Sequence, residues 1–248
     1  ATWYAPDNAV LSIVGDVETP AALEAVNRYF AGIPAKGGFP AAPDSSLPPV
    51  IGEEVRRTVP DRVPLPRIFI GYRCPPFGST GYDAVEVLAT VLGGGRGSRL
   101  YKALVLDRPL LQPPDDAVLS PWPFVGGAAL LVADLPPREG VDPDELEAAY
   151  HEVVAGIADG VSDDEMERAR ALITSDWLHH LSTVDGRADT FSQFTTLFDE
   201  PALVNEMLPR VLSVTDDDLR RVAADVIRPD NRVVLVFEPA GEPDEAAA

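Results

Sequence analysis

Cysteine occurs once in this 248-residue chain, as Cys74, and histidine three times, as His151, His179 and His180. A single thiol excludes an internal disulfide and any cysteine-rich zinc site. Its place in the apolar run Ile68 to Cys74 marks it as a buried thiol rather than a reactive one. Neither His-Glu-x-x-His nor His-x-x-Glu-His is present, so the sequence lacks the helical spacing that puts two imidazoles and a glutamate beside one zinc ion. Asp176 and His180 share a helical face at i and i+4, and such a lone pair reads as a solvated contact. The Gly-x-Ser-x-Gly nucleophile elbow is missing as well.

Positive charge is scarce: 20 Lys and Arg stand against 40 Asp and Glu, a net charge of −20. A field of that sign repels phosphate backbones and anionic lipid, which excludes nucleic acid and membrane surfaces as expected partners. No apolar run approaches the roughly 20 residues that a membrane helix needs, and the start lacks the basic-then-apolar order of a signal peptide. The compartment stays open, with a soluble cytoplasmic protein as the favoured reading. The acidic runs Asp163 to Glu165 and Asp216 to Asp218 fall at helix starts, where they meet the helix dipole favourably without a catalytic role.

What the chain does have is 46% hydrophobic residues, enough for a full core, and one phrase used twice. Pro6-Asp7-Asn8 and Pro229-Asp230-Asn231 each open a short apolar run, Ala9 to Val14 and Arg232 to Phe237, about one domain length apart. After the first run, Thr19-Pro20 predicts a helix to about Phe30 with Leu23, Val26 and Phe30 on one face. Residues 34–52 are rich in proline and glycine and read as a linker. Strands are expected at Glu53 to Val59, Arg67 to Cys74, Ala128 to Leu135 and the closing run.

Helices are expected at about Tyr82 to Leu92, after Ser98, after Asp142-Pro143, after the capping box Ser162 to Glu165, and at about 185–198, 202–210 and 215–227. Strands early and helices late predict an α+β fold, a mixed or antiparallel sheet packed against several helices. The expected organisation is residues 1–33 as the tail end of a preceding homologous domain, 34–52 as linker, 53–240 as a second domain and 241–248 as a disordered tail. The most distinctive local motif is Leu92 to Leu100, LGGGRGSRL. Four glycines in five residues let backbones approach closely, and the arginines on either side of Ser98 could meet a carboxylate or a peptide carbonyl. A glycine-rich turn between helices is also often no more than a turn.

Tyr4-Ala5-Pro6-Asp7-Asn8-Ala9-Val10, the Val14-Gly15-Asp16 turn, the linker and LGGGRGSRLYKAL, in that order, resemble the pitrilysin family of zinc metallopeptidases. That family includes insulin-degrading enzyme, the mitochondrial processing peptidase and core subunits of the respiratory cytochrome complex. The resemblance implies the processing-peptidase-like metallohydrolase fold. It makes residues up to about 33 the end of the metal-binding domain, and Glu53 onward the second, non-catalytic domain. The family's zinc ligands would lie before Ala1, so it implies no cofactor in this chain and zinc in the parent or partner domain.

By resemblance, Gly93, Gly94, Gly95, Arg96, Gly97, Ser98 and Arg99 match the loop that helps admit substrate to a closed chamber. Active members follow this loop with an arginine and then a tyrosine that contact substrate; Val105 and Gln112 stand at those places, and neither offers a guanidinium or a phenol. The implied function is half of a substrate-enclosing chamber or an inactive partner subunit. Its partners would be a homologous metal-binding domain or subunit, or further copies in a homo-oligomer, together with a peptide or unfolded protein. The alternatives are a fragment of an active zinc endopeptidase, and a structural scaffold like the cytochrome-complex subunits.

Overall fold

A computed structural model describes residues 3–41, 44–114 and 117–240. The expected tail 241–248 and residues 42 and 43 of the linker lie outside them. In chain order the helices are α1 (Thr19–Phe30), α2 (Thr80–Gly93), α3 (Arg99–Tyr101), α4 (Pro143–Ala155), α5 (Asp163–Ser182), α6 (Val184–Phe198), α7 (Met207–Leu212) and α8 (Asp216–Val226). The strands are β1 (Val55–Asp61), β2 (Arg67–Cys74), β3 (Leu119–Trp122), β4 (Ala129–Leu135) and β5 (Arg232–Pro239). The chain divides into two compact units, Ser46–Ile173 with Val211–Ala248, and Ala1–Ser45 with Thr174–Arg210.

The larger unit is α+β. Its five strands form one sheet in the order β1-β5-β2-β4-β3, with β1 and β5 parallel and every other pair antiparallel. Register follows the period-two pattern of the sequence. Ile68, Ile70, Tyr72 and Cys74 of β2 share a face with Ala129, Leu131, Ala133 and Leu135 of β4 and with Val234 and Val236 of β5, and all are buried. Helices α2, α4 and α8 supply Val85, Leu88, Leu92, Leu146, Tyr150, Leu219 and Val222 to the same core. Burial pushes the Cys74 thiol up to about 12, the mark of an inert structural cysteine.

The opposite face of the sheet mixes apolar residues with charged ones, among them Arg57 and Asp134, which flank Leu235 and Phe69. Val55, Val233, Gly71 and Val132 lie in one row across it, and Leu235 and Phe69 are partners in the next. Phe69 meets Phe237 edge to face at 5.8 Å, with the Arg67 guanidinium 5.3 Å from the Phe69 ring.

Several helix starts carry side-chain caps, the one at Asp142 expected from sequence and those at Ser79 and Thr215 not. Ser79 accepts from Tyr82 N, Asp142 from Asp144 N, and Thr215 forms a reciprocal capping box with Asp218. Ser162 and Glu165 exchange the same pair of bonds at the start of α5. β3 was not expected from sequence: it is four residues long, contains Pro121 and lies at the sheet edge, where a missing N–H is tolerated.

The smaller unit corrects one expectation. Ala9 to Val14 is not a strand: its backbone lies outside every ladder among the described residues. Val10, Leu11 and Ile13 are exposed, and α1 has no buried residue. Strand geometry needs a neighbour to satisfy its N–H and C=O groups, and composition alone does not provide one. Within this unit Thr183 caps α6, and Trp177 stacks on Phe194 at 6.5 Å.

The repeated phrase folds the same way twice. Pro6–Asn8 and Pro229–Asn231 are both 3-10 turns flanked by extended residues. In each copy the asparagine Nδ2 donates to the carbonyl five residues back, Asn8 to Trp3 at 2.9 Å and Asn231 to Val226 at 2.8 Å.

Candidate functional site

The seven glycine-loop residues join α2 to α3, and each glycine has a local reason. Gly93 ends α2 against β3, where an added Cβ would stand 2.4 Å from the backbone nitrogen of Leu119. Gly95 has φ +68°, in open space, and so meets the need for a left-handed residue. At Gly97 a Cβ would come within 2.9 Å of Arg168 Cδ. Ser98 is fully buried and caps α3, its Oγ accepting from Tyr101 N at 3.4 Å.

Two arginines brace this corner. Arg168 on α5 donates to the carbonyls of Gly94 at 2.9 Å, Val91 at 3.2 Å and Thr90 at 3.4 Å. Those carbonyls form the C-terminal end of α2, where Thr90 O also accepts from Gly94 N, and a cation there also meets the negative end of the helix dipole. Arg99 turns away from the loop surface. Its Nε and one terminal nitrogen donate to Glu165 at 2.7 and 2.9 Å, and it also reaches the carbonyls of Gly156 at 3.0 Å and Gly160 at 2.7 Å. The Arg99 hydrogen bonds hold the Glu165 carboxyl down at about 2, against burial that opposes them and with help from Ser162.

The structure therefore separates the predicted site residues. Gly93 and Ser98 are buried, Gly94, Gly97 and Arg99 are partly buried, and Gly95 and Arg96 are exposed. Arg99, flagged by its residue type as a candidate for substrate carboxylates or carbonyls, spends its donors on the fold. Arg168 was not foreseen, since a side chain that clamps carbonyls from 74 residues away leaves no local pattern. Val105 is buried in the core and Gln112 donates to Pro137 O at 2.9 Å, so neither offers a donor to the loop.

The histidines stand apart. His151 Nε2 is 3.5 Å from Glu147, and His180 Nε2 pairs with Thr190 Oγ1 at 3.0 Å. Among the described residues no group of three or more His, Cys, Asp or Glu is placed to hold a metal ion. Nor, among them, is any helix long and apolar enough to cross a membrane.

The model of the peptidase M16 inactive domain matches residues 1–173. The chain belongs to that family. It is similar to a zinc protease of Streptomyces coelicolor described as uncharacterized, 28% identical over 238 residues that cover 90% of this chain and 49% of that protein. Among solved structures it resembles a protease from Helicobacter pylori, with TM-score 0.80 and 18% identity over 91% of this chain and 54% of that one. It also resembles the peptidase M16 inactive domain from Pseudomonas fluorescens, with TM-score 0.71 and 14% identity over 91% and 52%. The chain spans about half the length of the curated relatives it matches. The chain is thus a member of the M16 inactive-domain family, the second-domain type that the resemblance implied.

Proposed function

We propose that this chain pairs with a homologous metal-binding domain or subunit and forms one wall of a chamber that encloses peptide or unfolded protein. The observation that carries the reading is the Pro-Asp-Asn turn present twice. After the second copy the chain enters β5 and a complete ladder; after the first, the same turn leads into apolar residues without a ladder and then into a helix without a buried residue. An apolar strand phrase and helix left open in this way suit a partner sheet.

Catalysis would belong to the partner. No described cluster suits a metal, and Arg99 is committed to Glu165. Zinc would then be held by the metal-binding half, where the general base and the metal-bound water also belong. Relatives named as zinc proteases favour an active assembly over a purely structural one.

The pure chain, supplied with zinc and an unstructured peptide such as oxidised insulin B chain, should show no cleavage. Chelator-sensitive turnover would overturn the non-catalytic reading. For the pairing, limited proteolysis should trim the chain from its start toward Gly52 when it is alone and spare it in the complex. A start that resists protease in the isolated chain would count against a missing partner. The gene before the Ala1 codon decides the source of the partner: His-x-x-Glu-His with a distal glutamate there places both halves in one polypeptide.

A further inference from the structure

The larger unit contains a groove of about 270 Å³ between α4 and α8, over the start of β5. Its walls are Val154 and Ile157 on one side and Ala223, Ala224 and Ile227 on the other. Every charged residue that lines it is basic: Arg220, Arg228 and Arg232, joined by His151. In a chain with twice as many acidic as basic residues this grouping runs against composition.

The carboxylates that pair with these arginines are not among the lining residues. Arg220 is held by Asp216 at 2.8 Å and Asp217 at 2.6 Å, Arg228 by Asp230 at 2.6 Å and Arg232 by Glu54 at 2.5 Å. They fix the guanidinium groups and use only some of the five N–H bonds that each guanidinium carries, so donors remain on all three arginines that line the groove. His151 is oriented by Glu147 at 3.5 Å.

The geometry points to a binding site for a carboxylate that carries a compact apolar body. The volume lies just under the roughly 300 Å³ at which drug-sized pockets begin, which suits a ligand the size of one hydrophobic residue. The carboxylate takes the arginine donors and the apolar body lies on the alanine, valine and isoleucine walls. Two sources share that chemistry, a free branched acid and the C-terminal residue of a peptide. The site rests on this unit alone and does not depend on the pairing proposed above.

The test is a proton–nitrogen correlation NMR titration of the full chain with 4-methylpentanoate, its amide, and acetyl-Ala-Leu with a free or amidated C-terminus. The acids should shift His151, Ala223 and Ala224 saturably in the millimolar range, and the amides should bind at least about tenfold more weakly. Binding of both acids would make the carboxylate head sufficient, and binding of the peptide acid alone would name a peptide C-terminus as the ligand. Ala224→Trp on α8 and Ala155→Trp on the facing wall are exposed substitutions that fill the groove, and each should abolish the shifts with the remaining spectrum intact. The proposal is overturned if amides bind as well as acids, if both tryptophan variants bind normally, or if no acid saturates by about 20 mM.

Discussion

Arg99 and Glu165 form a two-bond ion pair that joins the glycine corner to the first turn of α5, with Nε to Oε1 at 2.7 Å and a terminal nitrogen to Oε2 at 2.9 Å. Both side chains are about one-fifth exposed, at 21% and 23%, so the pair is better shielded than a surface contact. Arg99→Lys keeps the charge and loses the fork together with the two carbonyl contacts. It should cost about 2 kcal/mol, and Arg99→Ala about 3 kcal/mol because Glu165 is left without its partner. Urea denaturation of the three proteins measures this. A lysine variant as stable as the wild type would show that the brace carries no energy.

The same pair sets an acid limit. The Glu165 carboxyl titrates at about 2 in the fold against an ordinary 4.5, so its contribution is fully present above pH 4.5 and is lost as pH falls toward 2. At about 1.36 kcal/mol per unit the loss is at most about 3 kcal/mol. Glu86 has the opposite sign: burial, assisted by the neighbouring charge of Asp83, raises it to about 7. Its contribution is present below pH 4.5 and is lost as pH rises through 7. Stability from the two groups together should peak near pH 4.5. Glu165→Gln should flatten the acid limb and Glu86→Gln the limb toward pH 8, as read by thermal unfolding in a pH series. A Glu86→Gln variant that loses stability at pH 8 would contradict the assignment.

What the sequence revealed follows the range of the forces involved. Caps at Ser98, Asp142 and Ser162 are contacts over two or three residues, and each was visible as a pattern. The strands β2 and β4 were visible as runs for the same reason. Long-range devices were not: Arg168 clamps α2 from another helix, and β3 exists only because β4 offers it an edge. Ala9 to Val14 is the converse case, a sequence with strand character and no neighbour. Arg99 shows why residue type alone misleads about sites. A guanidinium suited to a substrate carboxylate is equally suited to Glu165.

The glycines of the corner differ in what they require. Gly93→Ala places a Cβ 2.4 Å from the backbone of Leu119 and has to push β3 aside. It should cost about 3 kcal/mol or more. Gly95→Ala meets no atom nearer than Leu172 Cδ1 at 4.0 Å and has only the φ of +68° to support, about 1 kcal/mol. Midpoints of urea unfolding rank the two directly, and a reversed order would mean that the corner is looser than its geometry.

The two asparagines of the repeated phrase offer a matched pair. Asn231 is fully buried and donates through Nδ2 to both Arg73 O and Val226 O at 2.8 Å, tying β2, the end of α8 and the start of β5 together. Asn8 makes the equivalent bond to Trp3 O at 2.9 Å on an exposed surface. Removing the buried donor takes a bond from two carbonyls, of which Val226 O keeps the one from Arg228 N, whereas an exposed carbonyl turns to water. Asn231→Ala should therefore destabilise the isolated chain by about 2–3 kcal/mol, and Asn8→Ala by less than about 0.5 kcal/mol. If the segment that follows Asn8 completes a partner's sheet, Asn8→Ala should become costly in the complex and weaken association several-fold with the isolated chain unchanged. Calorimetry of the variant alone and size-exclusion analysis of the mixture separate these effects. Equal and large losses from both variants in the isolated chain would mean that the first turn is already buried against this chain, and that it needs no partner.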